Sequence, residues 1–191
     1  MTVNLAKGQK VSLTKDSPEI KRLVVCMGWD VNTYDTREIF DLDASAFMLG
    51  ANGKVADSRD FVFYGNLAHS SGAVVHRSDI PTNSGDDAQI IVDLQLMPDN
   101  ILRIAFSATI YDAEDRGQGF GQVSNAYIRI IDEQTGTELM RYNISERFSR
   151  ETALVFGELY KNNSEWKFNA IGNGYQGNLA ALCDRYGVEV G

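Results

Sequence analysis

The chain has 191 residues, 43% of them hydrophobic, with 26 acidic and 18 basic side chains and a formal net charge of −8. This length and apolar content suffice for one hydrophobic core without disulfides or metals, so a single domain over residues 1–191 is expected. Because binding to nucleic acid depends on excess Lys and Arg, the acidic balance argues against such a partner. It favours cations, although acidity that serves only solubility is the competing explanation.

The two cysteines, Cys26 and Cys183, lie near opposite ends of the chain and outside any CxxC or zinc-type spacing, which fits a reducing compartment. The N-terminal segment lacks the apolar stretch of a signal peptide, and no apolar run approaches the ~18 residues of a membrane span. We therefore expect a cytoplasmic protein without a transmembrane segment.

Apolar and polar side chains alternate through most of the chain, the period-2 pattern of half-buried strands. In chain order the pattern predicts strands at 23–27, around Phe61 and Phe63, at 73–75, 90–96 and 104–110, and in the segments IRIIDE and TELMRYNI. Short turns are predicted between strands at Asn52-Gly53, Ser71-Gly72, Pro98-Asp99-Asn100 and Thr135-Gly136.

Only the end of the chain has helical spacing. Apolar residues from Leu179 to Tyr186 fall on one helical face, and Gly187 is placed to end the helix. Many strands, a short C-terminal helix, few other helical turns and no interior linker predict an all-β fold. The expected architecture is a two-sheet antiparallel β-sandwich.

Two carboxylates stand at alternate positions in the segment Phe40-Asp41-Leu42-Asp43-Ala44-Ser45, where a strand is about to begin. Residues i and i+2 of an extended chain share a face roughly 6–7 Å apart. Asp41 and Asp43 could therefore converge on one Ca²⁺, with the backbone carbonyl of Leu42 as a further ligand. Without a cation the two charges repel each other. The competing explanation is a solvated strand edge whose acids discourage aggregation.

Other oxygen-bearing side chains near predicted strand ends are candidate cation ligands: Asp30, Asn66, Asp79, Asp86 and Asp87, and more weakly Asp112, Glu114 and Asp115. An EF-hand beginning at Asp41 is excluded because Ala46 replaces the required Gly and Asn52 the bidentate Glu. A calcium site would have to be assembled from separate loops.

Two glycine clusters resemble phosphate-binding loops but lack the surrounding structure of one. The pattern Gly172-x-Gly174-x-x-Gly177 matches GxGxxG, yet only 14 residues follow it, too few for the second strand and distal acid of a dinucleotide site. The glycines at 117–121 lack a Gly-Lys-Ser/Thr ending, so a loop is expected there.

Catalytic patterns are absent from the sequence. His69 and His76 have no metal-ligand partner at i+4, and neither a GxSxG nor a Cys-His signature occurs, so both histidines are expected on the surface or on strands. Paired carboxylates for glycoside hydrolysis need an apolar cleft, whereas these acids lie in polar segments. The sequence predicts a protein that is not an enzyme.

Long segments of the chain together resemble the TerD family: KGQKVSLTK, GWD, FDLDASAF, GKVADSRDFVFY, FGQVSNAYIRI and FGELYKNNSEWKFNAIGNGYQG. The resemblance spans almost the whole chain. It implies a calcium-binding β-sandwich linked to tellurite and general stress resistance, and a slime-mould relative is described as binding a cyclic nucleotide.

The resemblance also implies site residues. The family's FDLDAS acids correspond to Asp41 and Asp43, and its GWD aspartate to Asp30. The family's long acidic loop is shortened here: Asp79 matches its GDN aspartate, Asp86 and Asp87 match its DD pair, and the following Glu is replaced by Ala88. We therefore expect one firm calcium site on Asp41 and Asp43 and at most a weaker second one.

Two functions follow as hypotheses. The first is a calcium-binding stress-response protein that acts as a binding or scaffold module for other stress or tellurium-resistance proteins, with the inner membrane as a candidate place of contact. The alternative is a cyclic-nucleotide or other small-ligand binding protein. Thiol chemistry on tellurite is disfavoured because both cysteines fall in apolar patterns.

Overall fold

The computed structural model describes residues 2–31, 40–77, 80 and 82–189. Within them, two six-stranded sheets pack face to face. The strands, numbered in chain order, make up the first sheet in the spatial order β1 (Val3–Leu5), β10 (Glu138–Asn143), β9 (Val123–Asp132), β3 (Arg22–Val31), β7 (Ala88–Asp93) and β6 (Val74–Arg77).

The second sheet has the spatial order β2 (Lys10–Ser12), β12 (Glu165–Tyr175), β11 (Ala153–Asn162), β8 (Arg103–Ile110), β4 (Leu42–Leu49) and β5 (Phe61–Val62). The helices are α1 (Ala113–Arg116) and α2 (Asn178–Tyr186), and 3₁₀ turns occupy Ser58–Asp60, Thr82–Ser84 and Phe120–Gln122. Among the strands of the described residues, all pairs are antiparallel except β1 with β10. The predicted β-sandwich with a C-terminal helix is confirmed.

The core lies between the sheets because alternate residues of each strand point inward. Val25 and Met27 of β3 belong to the same buried cluster as Phe106 of β8 and Phe156 of β11, and all four are fully buried. Burial of each such side chain stabilises the fold by about 1.5–3 kcal/mol.

Helix α2 covers part of the outer face of the second sheet. Leu182, Cys183 and Tyr186 pack in one buried cluster with Phe47 of β4 and Phe61 of β5. The Phe47 ring lies 4.5 Å from the Phe61 ring and 4.7 Å from the Tyr186 ring. The apolar helical face predicted from the sequence is therefore the face that binds α2 to the sheet.

The strand predicted at 90–96 is wrong at its end, because β7 stops at Asp93. The Asp93 carboxylate accepts hydrogen bonds from the backbone N–H groups of Gln95 (2.9 Å) and Leu96 (3.3 Å), which favours a turn over a continued strand. Leu96, predicted to face the core, is 51% exposed. Its apolar side chain continued the alternation in sequence without continuing the strand.

The predicted turns at Gly53, Gly72 and Gly136 are confirmed, each glycine having a positive φ of 74° to 77°. No helix in the described ranges is long and apolar enough to cross a membrane.

Candidate functional site

Asp41 and Asp43 lie together at the start of β4, on the outer face of the second sheet. Their position follows from the pleat, since the alternate residues Ala44, Ala46 and Met48 face the core. Asp43 is half-buried and pairs in register with Thr109 of β8. Burial, and secondly the charge of Asp41, raise the pKa of the Asp43 carboxyl to about 6. The fold thus holds two acids together although they repel each other.

Between the two acids, Leu42 contributes its backbone. The Asp41 carbonyl accepts a 2.7 Å hydrogen bond from the Tyr111 N–H, so it points toward β8. Carbonyls alternate in direction along a strand, so those of Leu42 and Ala44 point the other way, toward the edge of the sheet. There the Ala44 carbonyl lies 3.1 Å from Nε2 of His76, a β6 residue of the first sheet. The Leu42 carbonyl is directed toward the same edge, where, among the described strands, β5 pairs with β4 at Ala46 and Phe47.

A second pair of acids lies on the first sheet, where β3 ends and β7 begins. Asp87 accepts a 2.8 Å hydrogen bond from the Trp29 N–H, and Asp30 accepts one of 2.8 Å from the side-chain amide of Asn125. Burial raises the pKa of the Asp87 carboxyl, and the charges of Asp30 and Asp86 act in the same direction. Asp30 and Asp87 are therefore close enough to interact electrostatically.

Asp86 is placed differently from Asp87, because its carboxylate is fully buried in a network of donors. It accepts hydrogen bonds from Arg129 Nη2 (2.7 Å), Arg129 Nε (3.1 Å), Tyr127 Oη (2.5 Å) and Gln89 Nε2 (3.0 Å). Burial raises the pKa of Asp86, but the hydrogen bonds from Arg129, Tyr127 and Gln89 outweigh it and leave the pKa below its ordinary value. Both oxygens are engaged, so this arrangement does not fit a calcium ligand.

Asn66 belongs to a turn at the edge of the second sheet. Its side-chain N–H group donates to the carbonyls of Phe61 (2.9 Å) and Arg59 (3.3 Å), and its backbone pairs with Phe63. These contacts account for an asparagine at this position without a metal. Asp79 lies outside the described residues.

The structure therefore separates the predicted ligands into two pairs of acids on different sheets, with Asp86 and Asn66 engaged elsewhere. In the part of the chain that the structure describes, no three His, Cys, Asp or Glu side chains are placed around one metal position.

The glycine clusters are explained by packing. A Cβ at Gly119 or Gly121 would lie 2.7 or 2.8 Å from the backbone oxygen of Ser149, and a Cβ at Gly174 would lie 2.8 Å from the Phe148 ring. Only glycine allows these close approaches. The GxGxxG match therefore needs no phosphate to explain it, as its sequence context indicated.

Sequence reasoning missed a largely buried set of three hydrogen-bonded side chains beside β5, centred on His69. His69, expected on the surface or on a strand, is only 8% exposed and lies in a loop. Its Nε2 lies 2.8 Å from Asp60 Oδ1 and its Nδ1 lies 2.7 Å from Ser71 Oγ. The contact joins residues nine positions apart through a non-repeating loop, for which the sequence contains no periodic signal. The ring ties the 3₁₀ turn at 58–60 to the turn before β6.

Both cysteines are buried, as the sequence indicated. Cys26 points to the outer face of the first sheet, where Arg129 and Gln89 stand opposite it in register. Burial raises the pKa of its thiol to about 12, and the neighbouring Asp86 acts in the same direction. Neither thiol has the exposure that redox chemistry on an external substrate requires.

Comparison with known proteins agrees with this architecture. The family model described as "TerD domain" matches residues 1–186. The chain is 53% identical to general stress protein 16U of Bacillus subtilis (strain 168), with 100% of both chains covered. It is 48% identical to tellurium resistance protein TerD of Serratia marcescens, with 99% of each covered.

The fold also matches a solved structure, that of a homologue of telluride resistance protein (TerD) from Streptomyces coelicolor A3(2). The TM-score is 0.63 at 20% sequence identity, over 85% of this chain and 95% of that one. At this identity the match extends to the fold alone.

Proposed function

Because this chain belongs to the TerD family, we propose that it is a stress-response protein of the tellurium-resistance type, which acts by binding Ca²⁺ and a partner rather than by catalysis. The names of its relatives, a general stress protein and a tellurium resistance protein, support the physiological part of the proposal. The calcium part is supported by the placement of the acids.

The observation that carries it is the Asp41–Leu42–Asp43 segment. Two carboxylates share the outer face of the second sheet at the start of β4, and the carbonyl between them is directed toward the sheet edge. Oxygens of these two kinds are the ligands that Ca²⁺ takes in proteins. A bound cation would neutralise the repulsion between these two carboxylates, which otherwise destabilises the folded state.

The remaining acids fit a second ion less well. Asp30 and Asp87 offer a pair of carboxylates on the first sheet, but the adjacent Asp86 is held by Arg129. Calcium takes six to eight oxygens, so loss of one carboxylate weakens a site that already has few. We propose one firm site on Asp41 and Asp43, and a weaker one that involves Asp30 and Asp87.

Partner binding follows from charge. One Ca²⁺ at Asp41 and Asp43 would replace a local charge of about −2 by one near zero, and surface charge governs which partners associate. We therefore propose that other stress or tellurium-resistance proteins in the cytoplasm bind the calcium-loaded form in preference to the calcium-free form.

The test is thermal unfolding with calcium or chelator. An ion that binds only the folded state at 100 times its Kd stabilises it by about 2.7 kcal/mol. For a chain of this size we expect the Tm to rise by about 5–11 °C. Asp43→Asn should remove most of the rise, whereas the charge-matched control Asp99→Asn, at an exposed turn position, should keep it. Equal Tm with calcium and chelator in the unsubstituted protein would refute the proposal.

The number of ions is measured separately, by titration in low-calcium buffer with a competing chelator of known affinity. We expect one tight equivalent, lost in Asp43→Asn, and a weaker one that Asp87→Asn removes. Two tightly bound calcium ions of similar affinity would contradict this expectation. They would show that Asp86 leaves Arg129 to bind the second ion, or that other oxygens complete the coordination of that ion.

A further inference from the structure

A groove lined mainly by basic rather than acidic side chains lies on the outer face of the second sheet, at the C-terminal end of α2. It measures about 550 Å³. Its charged lining consists of Lys54, Arg103 and Arg185 against one acid, Glu158. The whole chain has the opposite balance, with 26 acids and 18 bases. The groove is therefore a local concentration of positive charge on an acidic protein.

The neutral polar side chains of the groove also present donors. Asn52 Oδ1 accepts a 3.0 Å hydrogen bond from the Lys54 N–H, and Asn173 Oδ1 accepts one of 3.0 Å from Lys7 Nζ. Because an amide has one oxygen and one NH₂ group, the NH₂ groups are what these two residues have left to offer a ligand. Lys7 also donates to the Gly172 carbonyl at 3.1 Å, which adds a further positive charge beside Asn173.

The cations are held in place by contacts that leave donors available. The Arg185 guanidinium lies over the Tyr175 ring, 4.9 Å from its centre, and hydrogen-bonds the Tyr186 hydroxyl, which leaves further N–H groups among its five. Arg103 Nη1 lies 3.5 Å from Glu158 Oε2, and the Glu158 side chain is only 14% exposed, so the single acid is both paired and recessed. Lys54 Nζ donates to the Arg185 carbonyl, which leaves two of its three N–H groups.

The lining also includes partly exposed apolar groups, the Ile171 side chain and the Tyr175 ring. Sites for small molecules typically measure about 300–1,000 Å³ and combine an apolar lining with a few convergent polar groups. The size of this groove falls within that range, and its lining is mainly polar, which suits a charged ligand.

We propose that this groove binds a small organic anion, with a doubly charged head group held by Arg185, Lys54 and Asn173 and an apolar body on Tyr175 and Ile171. A phosphate monoester has this chemistry. The site is separate from the acids of β4 and does not depend on calcium. The competing explanation is that Lys54 and Arg103 only stabilise the end of α2 and balance Glu158.

The experiment uses calcium-free protein and phenyl phosphate as the probe, followed by amide chemical shifts in NMR. We expect saturable shifts at Asn52, Lys54, Asn173 and Arg185. Inorganic phosphate, which has no apolar body, and benzoate, which has a single charge, should each bind more weakly. Shifts that stay linear in probe concentration, or that are spread over the surface, would overturn the proposal.

Two variants test the assignment of residues. Arg185→Gln should weaken binding about tenfold through loss of a charge-assisted hydrogen bond, whereas Lys21→Gln, the same charge change at an exposed residue before β3, should change it less than about twofold. Asn173→Asp keeps an oxygen for Lys7 but replaces the NH₂ donor by a negatively charged oxygen, so binding should be lost while the Tm is unchanged. Equal affinity in Arg185→Gln and Lys21→Gln would show that the groove cations only serve the helix end and Glu158.

Discussion

The network around Asp86 predicts a large loss of stability in Arg129→Gln. The Asp86 carboxylate has no exposed surface and the Arg129 side chain is 18% exposed, so the ion pair between them is largely desolvated. The substitution removes two of the hydrogen bonds to the carboxylate and leaves a buried charge with only Tyr127 and Gln89 as partners. A buried charge without its counter-ion is costly, because water no longer solvates it.

The size of the effect can be bounded. Removal of one partner from a buried pair typically costs about 3–5 kcal/mol. Since Asp86 keeps two donors, we expect the lower end, about 3 kcal/mol, which corresponds to a fall in Tm of about 6–12 °C for a chain of this length. Arg141→Gln is the matched control. Arg141 is more exposed, with an ion pair to Glu138 and a ring contact with Tyr127, so its loss should cost less than about 1 kcal/mol.

Chemical denaturation in calcium-free buffer measures both variants, and a double-mutant cycle with Asp86→Asn isolates the pair. In Asp86→Asn the charge is already absent, so adding Arg129→Gln should cost much less than in the unsubstituted protein. Equal losses in Arg129→Gln and Arg141→Gln, or strictly additive effects in the cycle, would refute the view that Arg129 is the counter-ion of a buried carboxylate.

Three further predictions follow from buried groups. Cys26 and Cys183 are 0% and 3% exposed, so neither should react with a thiol reagent at pH 8 until the protein is unfolded, and rapid labelling of the native protein would contradict this. Burial lowers the pKa of His76, so as the pH falls the unfolded state takes up the proton first, and the folded state should lose stability below about pH 6.5. In His76→Gln the midpoint of urea unfolding should depend less steeply on pH. The same pH dependence in both proteins would argue against His76 as its source. A Cβ at Gly157 would clash with the Phe168 ring and lie 2.5 Å from the Asn169 carbonyl oxygen, so Gly157→Ala should lower the free energy of unfolding by about 1–3 kcal/mol in the same assay. An unchanged urea midpoint would mean that the irregularity in β11 between Val155 and Gly157 widens to accept the methyl group.

The fold class could be predicted because it depends on local patterns. Alternation of apolar residues marks strands wherever one face is buried, and glycine turns mark their ends, so β3, β8 and α2 appear near their predicted positions. The order of strands in the sheets could not be predicted this way. The parallel pairing of β1 with β10 joins Val3 to Met140, and no local signal reports a contact across more than a hundred residues.

Errors of strand length arose where a polar side chain bonded to its own backbone. Asp93 ended β7 through two hydrogen bonds to following N–H groups, although the apolar alternation continued to Leu96. The sequence shows both the turn-forming Asp93 and the apolar alternation that favours a longer strand. Which of the two prevails depends on whether Leu94 and Leu96 can reach the core. Leu94 packs against it and Leu96 does not.

In the candidate site, Asp86 and Asp87 also have different surroundings that the sequence alone could not predict. The two acids are adjacent and chemically equal, so composition could only assign them together. Asp86 lies beneath Arg129 and Tyr127, residues of β9 more than forty positions away, whereas the Asp87 carboxylate accepts from the Trp29 N–H at the end of β3. An ion recruited by Asp87 would therefore have to do without Asp86 or compete with a guanidinium that already makes two hydrogen bonds to it. Asp41 and Asp43 face no such competitor among the described contacts. For this reason we expect the proposed site on Asp41 and Asp43 to bind calcium more tightly than the proposed site on Asp30 and Asp87, a difference that a count of acidic residues could not predict.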